Sequence, residues 1–236
     1  MIEIVAQTGS TNADLAEKLR SAEGWPEGHW LVARRQIAGR GRQGREWFDG
    51  AGNFMGSTVV ALGKGNPPPA SLSFVAALAV HDAVAAALAD DAELALKWPN
   101  DVLLHQGKLS GILLEMVRDH VIVGIGVNLA RAPQLPDRKT AALADLRPPP
   151  EVADFASALA VAFAQRLSDW RNHGLAATLA AFLQRSIHAQ GSPVTVHDTD
   201  GSKLSGTFAG LDESDGALRL RLADGSERVI RAGDIS

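Results

Sequence analysis

Gly39-Arg40-Gly41-Arg42-Gln43-Gly44, running on into Arg45-Glu46-Trp47-Phe48, meets the formal G-x-G-x-x-G spacing of a dinucleotide-binding loop. The spacing is met, but the context is not. Such a loop opens a helix packed on its strand, and a helix beginning with three arginines would set cations against the positive end of its own dipole. The doubly wound dinucleotide fold is therefore rejected. The other reading is that the glycines let the backbone close around a ligand while the arginine forks grip its anionic oxygens two at a time. No G-x-x-x-x-G-K-[ST] sequence is present, so this is not a P-loop either.

Working outward, Ile2 to Ala6 reads as a strand, and Ser10 or Thr11 can cap a helix with Leu15 and Leu19 on its apolar stripe. His29 to Gln36 reads as a second strand and Phe54 to Leu62 as a third, which makes 38–52 a loop between strands. Ser71 to Ala89 is alanine-rich and free of Gly and Pro, and predicts a buried helix. Short strands are then expected at Leu94 to Trp98, Val102 to His105, Lys108 to Val117 and His120 to Asn128. The middle pair is joined by a Gln106-Gly107 turn, which suggests a mixed or antiparallel sheet.

Arg131 to Pro150 predicts a loop, and two helices follow, about Glu151 to Arg171 and Leu175 to Gln190, separated at His173-Gly174. Past Gly191 the alternating texture predicts a small β module of about four or five strands. The expected domains are 1–190 and 191–236.

The chain of 236 residues is long enough for one sizeable core and a small second unit. It has no cysteine, which excludes disulfides, thiolate metal sites and a cysteine nucleophile. No secretory start and no apolar run approaching a membrane span is visible, so a cytoplasmic protein without membrane contact is expected. A net charge of -4 speaks against general nucleic-acid binding, yet Arg34, Arg35, Arg40, Arg42 and Arg45 crowd one segment. Arginine so concentrated in an acidic chain points to an anionic ligand.

Three further places could carry chemistry. Asn100-Asp101 follows Lys97-Trp98-Pro99 at a rigid turn, where Asp101 is either a metal or amine partner or an aspartate bonding its own backbone. Lys108 enters an apolar strand, where it needs an anionic partner or must snorkel at an edge. Ser10-Thr11-Asn12 alone is an ordinary helix cap.

Taken together, Gly39 to Trp47 resembles the GRGRxGRxW signature of biotin–protein ligases. The resemblance continues through Gly52-Asn53 and Ser57, Lys97 to Val102, Gly107 to Glu115, and Gly124 to Leu129. It implies an α+β fold: a mixed sheet with helices packed on one face, like the catalytic core of class II aminoacyl-tRNA synthetases, followed by a small SH3-like β-barrel. The barrel resemblance rests on Gly206 to Asp212 and Gly216 to Leu218.

The resemblance also implies the activity. Biotin is activated by ATP as an acyl-adenylate, with magnesium on the phosphates, and then passed to a lysine of the biotin carboxyl carrier protein of acetyl-CoA carboxylase. Ser10, Thr11, Asn12 and Gln36 would face the ureido ring, with Gly39, Arg40, Gly41, Arg42 and Lys108 around the rest of biotin. Arg42, Arg45, Lys108 and Asp101 would be catalytic. Arg42, Arg45, Trp47, Asn100, Asp101 and Asn128 would serve the nucleotide, with Trp47 a wall over the adenine and Asp101 the metal contact.

A lipoate–protein ligase and a non-catalytic biotin or nucleotide sensor are the alternatives, and the arginine loop favours biotin. Relatives that repress transcription carry an N-terminal helix-turn-helix. This sequence starts almost at the catalytic strand, so no specific DNA binding is expected. The oligomeric state, a homodimer included, is left open.

Overall fold

A computed structural model describes the chain apart from residues 22, 89–92, 137, 198–201 and 236. Seven strands form one sheet: β1 (Ile2–Val5), β2 (Trp30–Ala33), β3 (Phe54–Ala61), β4 (Leu94–Lys97), β5 (Asp101–Leu104), β6 (Gly107–Val117) and β7 (His120–Val127). Their order is β1-β2-β3-β7-β6-β5-β4. Only β1 and β2 run parallel, joined through α1 (Thr11–Arg20), and each later pair is antiparallel. The expected mixed sheet is what forms.

Strand alternation sorts the side chains onto two faces. Trp30, Val32, Phe54, Val60, Val123 and Ile125 meet α2 (Leu72–Ala87) and α3 (Val152–Leu183) in the main core. Leu31, Val59, Val117 and Ile122 lie on the opposite face under Leu15, Ala16 and Leu19 of α1. Helices therefore cover both faces rather than the one expected. The reason is the single apolar stripe of α1, which is long enough to cover only part of its face and leaves the rest of that face open. The helical run Pro69–Ala87 is apolar and long enough to cross a membrane by length and composition. Here it is core, packed under α3, with Arg166 Nε donating to Asp82 at 2.7 Å across the pair.

Two local expectations shift. The β5–β6 turn is centred on His105 and Gln106, both with positive φ (47° and 64°), not on Gln106-Gly107. Gly107 belongs to β6, because a Cβ there would sit 2.8 Å from the backbone carbon of Thr140, and only a glycine lets that segment pass. The break expected at His173-Gly174 is present, with Gly174 at φ 76°, ψ -174° inside α3, but the second segment ends at Leu183. It stops short of Gln190 because the chain turns to pair with β4. Leu96 N donates to Arg185 O at 2.7 Å, and Ile187 N to Leu96 O at 3.0 Å.

The remaining strands, β8 (Pro193–His197), β9 (Lys203–Leu211), β10 (Leu218–Arg221), β11 (Glu227–Ile230) and β12 (Asp234–Ile235), form an antiparallel sheet in the order β11-β10-β9-β8-β12. A closed barrel was expected. Among the described residues the hydrogen-bond order is that of an open sheet, since the two-residue β12 is paired with β8 and no ladder joins it to β11. This sheet docks on the larger unit. Trp98 Nε1 donates to Gly216 O at 3.1 Å, and the Phe74 ring fills the space a side chain at Gly216 would need.

Candidate active site

The open part of the α1 face holds a cavity of about 710 Å³. Its floor follows from strand alternation: Ile122, Gly124 and Gly126 of β7 share one face, as do Val117, Glu115, Leu113 and Gly111 of β6. Where α1 stops, the row changes from Ile122 to glycine, and two side chains use the freed space. Asn12 lies where a Cβ on Gly124 would approach its Oδ1 to 2.2 Å. The Trp47 indole lies on Gly126 and Gly111, whose Cβ atoms would come within 2.2 and 2.9 Å of it.

The loops after β1 and β2 continue their parallel path, with Thr8 N donating to Arg35 O and Ile37 N to Thr8 O. That brings Ser10, Thr11 and Asn12 beside Gln36. The capping role does not form: Ser10 stands at the N-cap of α1 but makes no side-chain cap bond. Thr11 instead turns sideways, its Oγ1 lying 3.0 Å from Gln36 Oε1 and 2.7 Å from Ser57 Oγ. Uncharged polar groups thus line this end, suited to a neutral ligand that both donates and accepts.

The arginine loop is a small hairpin, not a helix. Gly41 N donates to Arg45 O and Trp47 N to Gly39 O, around a single 3-10 turn at Arg42–Gly44. Gln43 sits there at φ 58°. Asp49 anchors the return, accepting Gln36 N at 3.1 Å and Arg35 Nε at 2.9 Å. The hairpin carries Arg42 to Asn100 Oδ1 (3.0 Å) and Arg45 to Asp234 Oδ2 (3.0 Å).

Lys108 Nζ meets Asp101 Oδ1 at 2.5 Å, and both side chains are largely covered. The lysine therefore has the anionic partner its position demanded. The register explains the meeting, since Asp101 of β5 lies opposite Gly111 of β6, which in turn lies opposite Gly126 of β7. The site so runs across the sheet, neutral over β3 and β7 and charged over β6 and β5.

Ser10, Thr11, Asn12, Gln36, Gly39, Arg40, Gly41, Arg42, Arg45, Trp47, Asn100, Lys108 and Asn128 all line this one cavity. Asp101 stands behind Lys108 rather than in the wall. Asn128, expected at the nucleotide, also spends its amide on the carbonyls of Lys108 (3.3 Å) and Ala141 (3.1 Å), holding the start of β6. No group of three or more His, Asp or Glu side chains able to hold a metal occurs among the described residues.

Some residues in and around this site were not singled out from the sequence. Asp234, from the C-terminal sheet, reaches the cavity wall. Burial raises its pKa, but the Arg45 hydrogen bond and the charges of Arg45, Arg42 and Lys108 outweigh that and hold it below the usual carboxylate range. Lys97, by contrast, is pushed down by burial, partly offset by Asp101 and Asp234. The glycines at 111, 124 and 126 were quoted as motif letters only. For Gly124 and Gly126 the two-residue spacing on one strand was the available signal.

A model described as the Biotin/lipoate A/B protein ligase family matches residues 4–128. The chain belongs to that family. It is accordingly a ligase, and a second model, Biotin protein ligase C terminal domain, matches residues 190–236. Within the family it resembles the biotin--[acetyl-CoA-carboxylase] ligase of Paracoccus denitrificans, 42% identical over 98% of each chain. Among solved structures it resembles the Leishmania major biotin protein ligase in complex with biotinyl-5-AMP, with TM-score 0.68, 26% identity and 98% of each chain covered. The fold is also that of the Aquifex aeolicus biotin protein ligase in complex with biotin and ATP, with TM-score 0.84 and 24% identity, covering 100% of this chain and 97% of that one.

Proposed function

We propose that this ligase activates biotin with ATP and transfers it to a lysine of a biotin carboxyl carrier protein. The observation that carries this is one cavity with two chemistries: a neutral hydrogen-bonding end at Thr11, Asn12 and Gln36, and a cationic end at Arg42, Arg45 and Lys108. The first suits a cyclic urea, the second a carboxylate beside a triphosphate. The Paracoccus relative and the biotinyl-5-AMP complex of the Leishmania ligase support the choice.

In the first step a biotin carboxylate oxygen attacks the α-phosphorus, the bond to the bridging oxygen breaks, and pyrophosphate leaves. In the second the carrier lysine amine attacks the acyl carbon, AMP departs, and the amine sheds a proton as the amide forms. Lys108 and Arg42 hold the two anions together and Arg45 offsets phosphate charge, so catalysis is positioning plus charge complementarity. Asp101 orients Lys108 in this reading. Magnesium enters as the counter-ion carried by the triphosphate substrate, where a single carboxylate such as Asp101 can contact it; among the described residues no group of three or more His, Asp or Glu side chains stands ready to hold it alone.

The division into 1–190 and 191–236, an SH3-like character of the second unit and a cytoplasmic setting belong to the same reading. So does the absence of specific DNA binding, for which the net charge of -4 speaks. The test incubates the protein with ATP, magnesium and either biotin or lipoate, and follows pyrophosphate release and labelling of a carrier domain. Biotin-dependent release with carrier labelling is expected. Labelling with lipoate instead, or biotin binding without turnover, would sink it.

Bound adenylate should also slow amide exchange across 38–52, because the one carboxylate of Asp234 offsets only part of the charge that Arg40, Arg42 and Arg45 bring together, and a ligand anion offsets more. Equal protection with and without ligand would contradict this.

A further inference from the structure

Behind the neutral end of the cavity, buried side chains are joined in series to one that is not in its wall. Gln36, Thr11, Ser57 and Asn12 are 8%, 3%, 0% and 5% exposed. Gln36 Oε1 is 3.0 Å from Thr11 Oγ1, which is 2.7 Å from Ser57 Oγ, which donates to Asn12 Oδ1 at 2.6 Å. Asn12 Nδ2 then donates to Glu115 Oε2, also at 2.6 Å. Glu115 is exposed and does not line the cavity.

Donor and acceptor arithmetic fixes the protons between Glu115 and Ser57. An ionised carboxylate only accepts, so the Asn12 atom facing Glu115 must be the NH₂ and the atom facing Ser57 must be the carbonyl oxygen. The amide cannot slide aside, because it lies flat against Gly124. Ser57 has one proton, and the Asn12 carbonyl takes it. The Ser57–Thr11 contact must then use the Thr11 proton. The single Thr11 hydroxyl proton then serves two acceptors, Gln36 Oε1 at 3.0 Å and Ser57 Oγ at 2.7 Å, and Ser57, its own proton committed to Asn12, draws it away from Gln36, whose Oε1 also receives the Thr11 backbone N–H at 2.7 Å.

We infer that Glu115 is a positioning residue: acting through Asn12 and Ser57, it polarises Thr11 and Gln36 so that they present acceptors to a ligand N–H. This rests on the biotin reading, in which the ligand's cyclic urea supplies N–H donors beside its carbonyl. With an uncharged amide at 115 the chain could run backwards. Asn12 would flip, Ser57 would donate to Thr11 instead of competing for its proton, that proton would pass wholly to Gln36, and the acceptor strength facing the ligand would fall.

The experiment measures biotin binding by calorimetry without ATP, alongside steady-state kinetics, for wild type, Glu115→Gln, Ser57→Ala, and the two combined. Glu115→Gln should bind biotin about tenfold more weakly, the value of one neutral hydrogen bond. Its KM for biotin should rise by the same factor, with kcat changed less than about threefold on the same argument. Ser57 is the link through which Glu115 acts, so in the Ser57→Ala background the further change Glu115→Gln should cost less than about twofold. A purely structural role for Glu115 would instead add its full effect in either background. Biotin binding by Glu115→Gln equal to wild type, or a tenfold loss that persists without Ser57, would overturn the inference. Failure of the wild type itself to bind biotin would instead remove the biotin reading beneath it.

Discussion

Lys108→Gln is expected to slow adenylate formation about a hundredfold, on the order of 3 kcal/mol, the loss typical of one preorganised donor aimed at developing charge. Lys108 lies in the cavity wall at the start of β6, its ammonium held by Asp101 at 2.5 Å. Glutamine keeps much of the reach and the ability to donate but removes the charge that must grow in value as negative charge gathers on the phosphorus oxygens. Biotin affinity should suffer less, because the contacts over Thr11 and Gln36 are remote from the change. Single-turnover adenylate formation, paired with biotin binding without ATP and circular dichroism to confirm the fold, separates these terms.

Removing the lysine also strands the Asp101 carboxylate. Lys108→Gln with Asp101→Asn is therefore the control that isolates the lost cation from the unpaired anion. A single variant that adenylates at nearly the wild-type rate would reduce Lys108 to an edge lysine.

Gly126→Ala should be nearly as damaging, although it adds a single methyl. That methyl would lie 2.2 Å from Trp47 Cε2 and 2.5 Å from its Nε1. β7 is paired along its length on both sides, with β3 and β6, so its backbone cannot retreat. Trp47 must leave its seat, and the Trp47 N–H to Gly39 O bond at the hairpin base goes with it. Overpacking of this kind costs roughly 1–3 kcal/mol. Spent on the closed hairpin, that is about ten- to hundredfold in kcat/KM. Trp47→Ala in the Gly126→Ala background relieves the clash and should return the 38–52 loop towards wild-type amide protection. Turnover of Gly126→Ala equal to wild type would mean that the seat of Trp47 on Gly126 and Gly111 has no part in the reaction.

Much of this was legible because local sequence carries local physics. The rejection of a dinucleotide loop needed only the arginines after the glycines, and the hairpin formed there agrees. The strands of the sheet announced themselves by apolar runs and turn residues, and Lys108 by its place in an apolar strand. Errors fell where distant chain segments compete for the same backbone. Leu96 captured 185–187 and ended α3 early, and the passage of Thr140 moved Gly107 out of the turn and into a strand. The capping expected of Ser10 and Thr11 failed because Gln36 and Ser57 offer Thr11 better partners than its own helix does.

The sequence by itself determined the mixed sheet, the glycine–arginine hairpin at 39–47 as a segment between strands and the family resemblance, since each rests on residue type at short, fixed spacing. Only the tertiary structure decided what meets across long spacing. Asp234 reaches Arg45 from 189 positions away, and Glu115 reaches Asn12 from 103. Whether a carboxylate is a solvated surface charge or the group that orients a site depends on what the fold sets against it, and no local pattern encodes that.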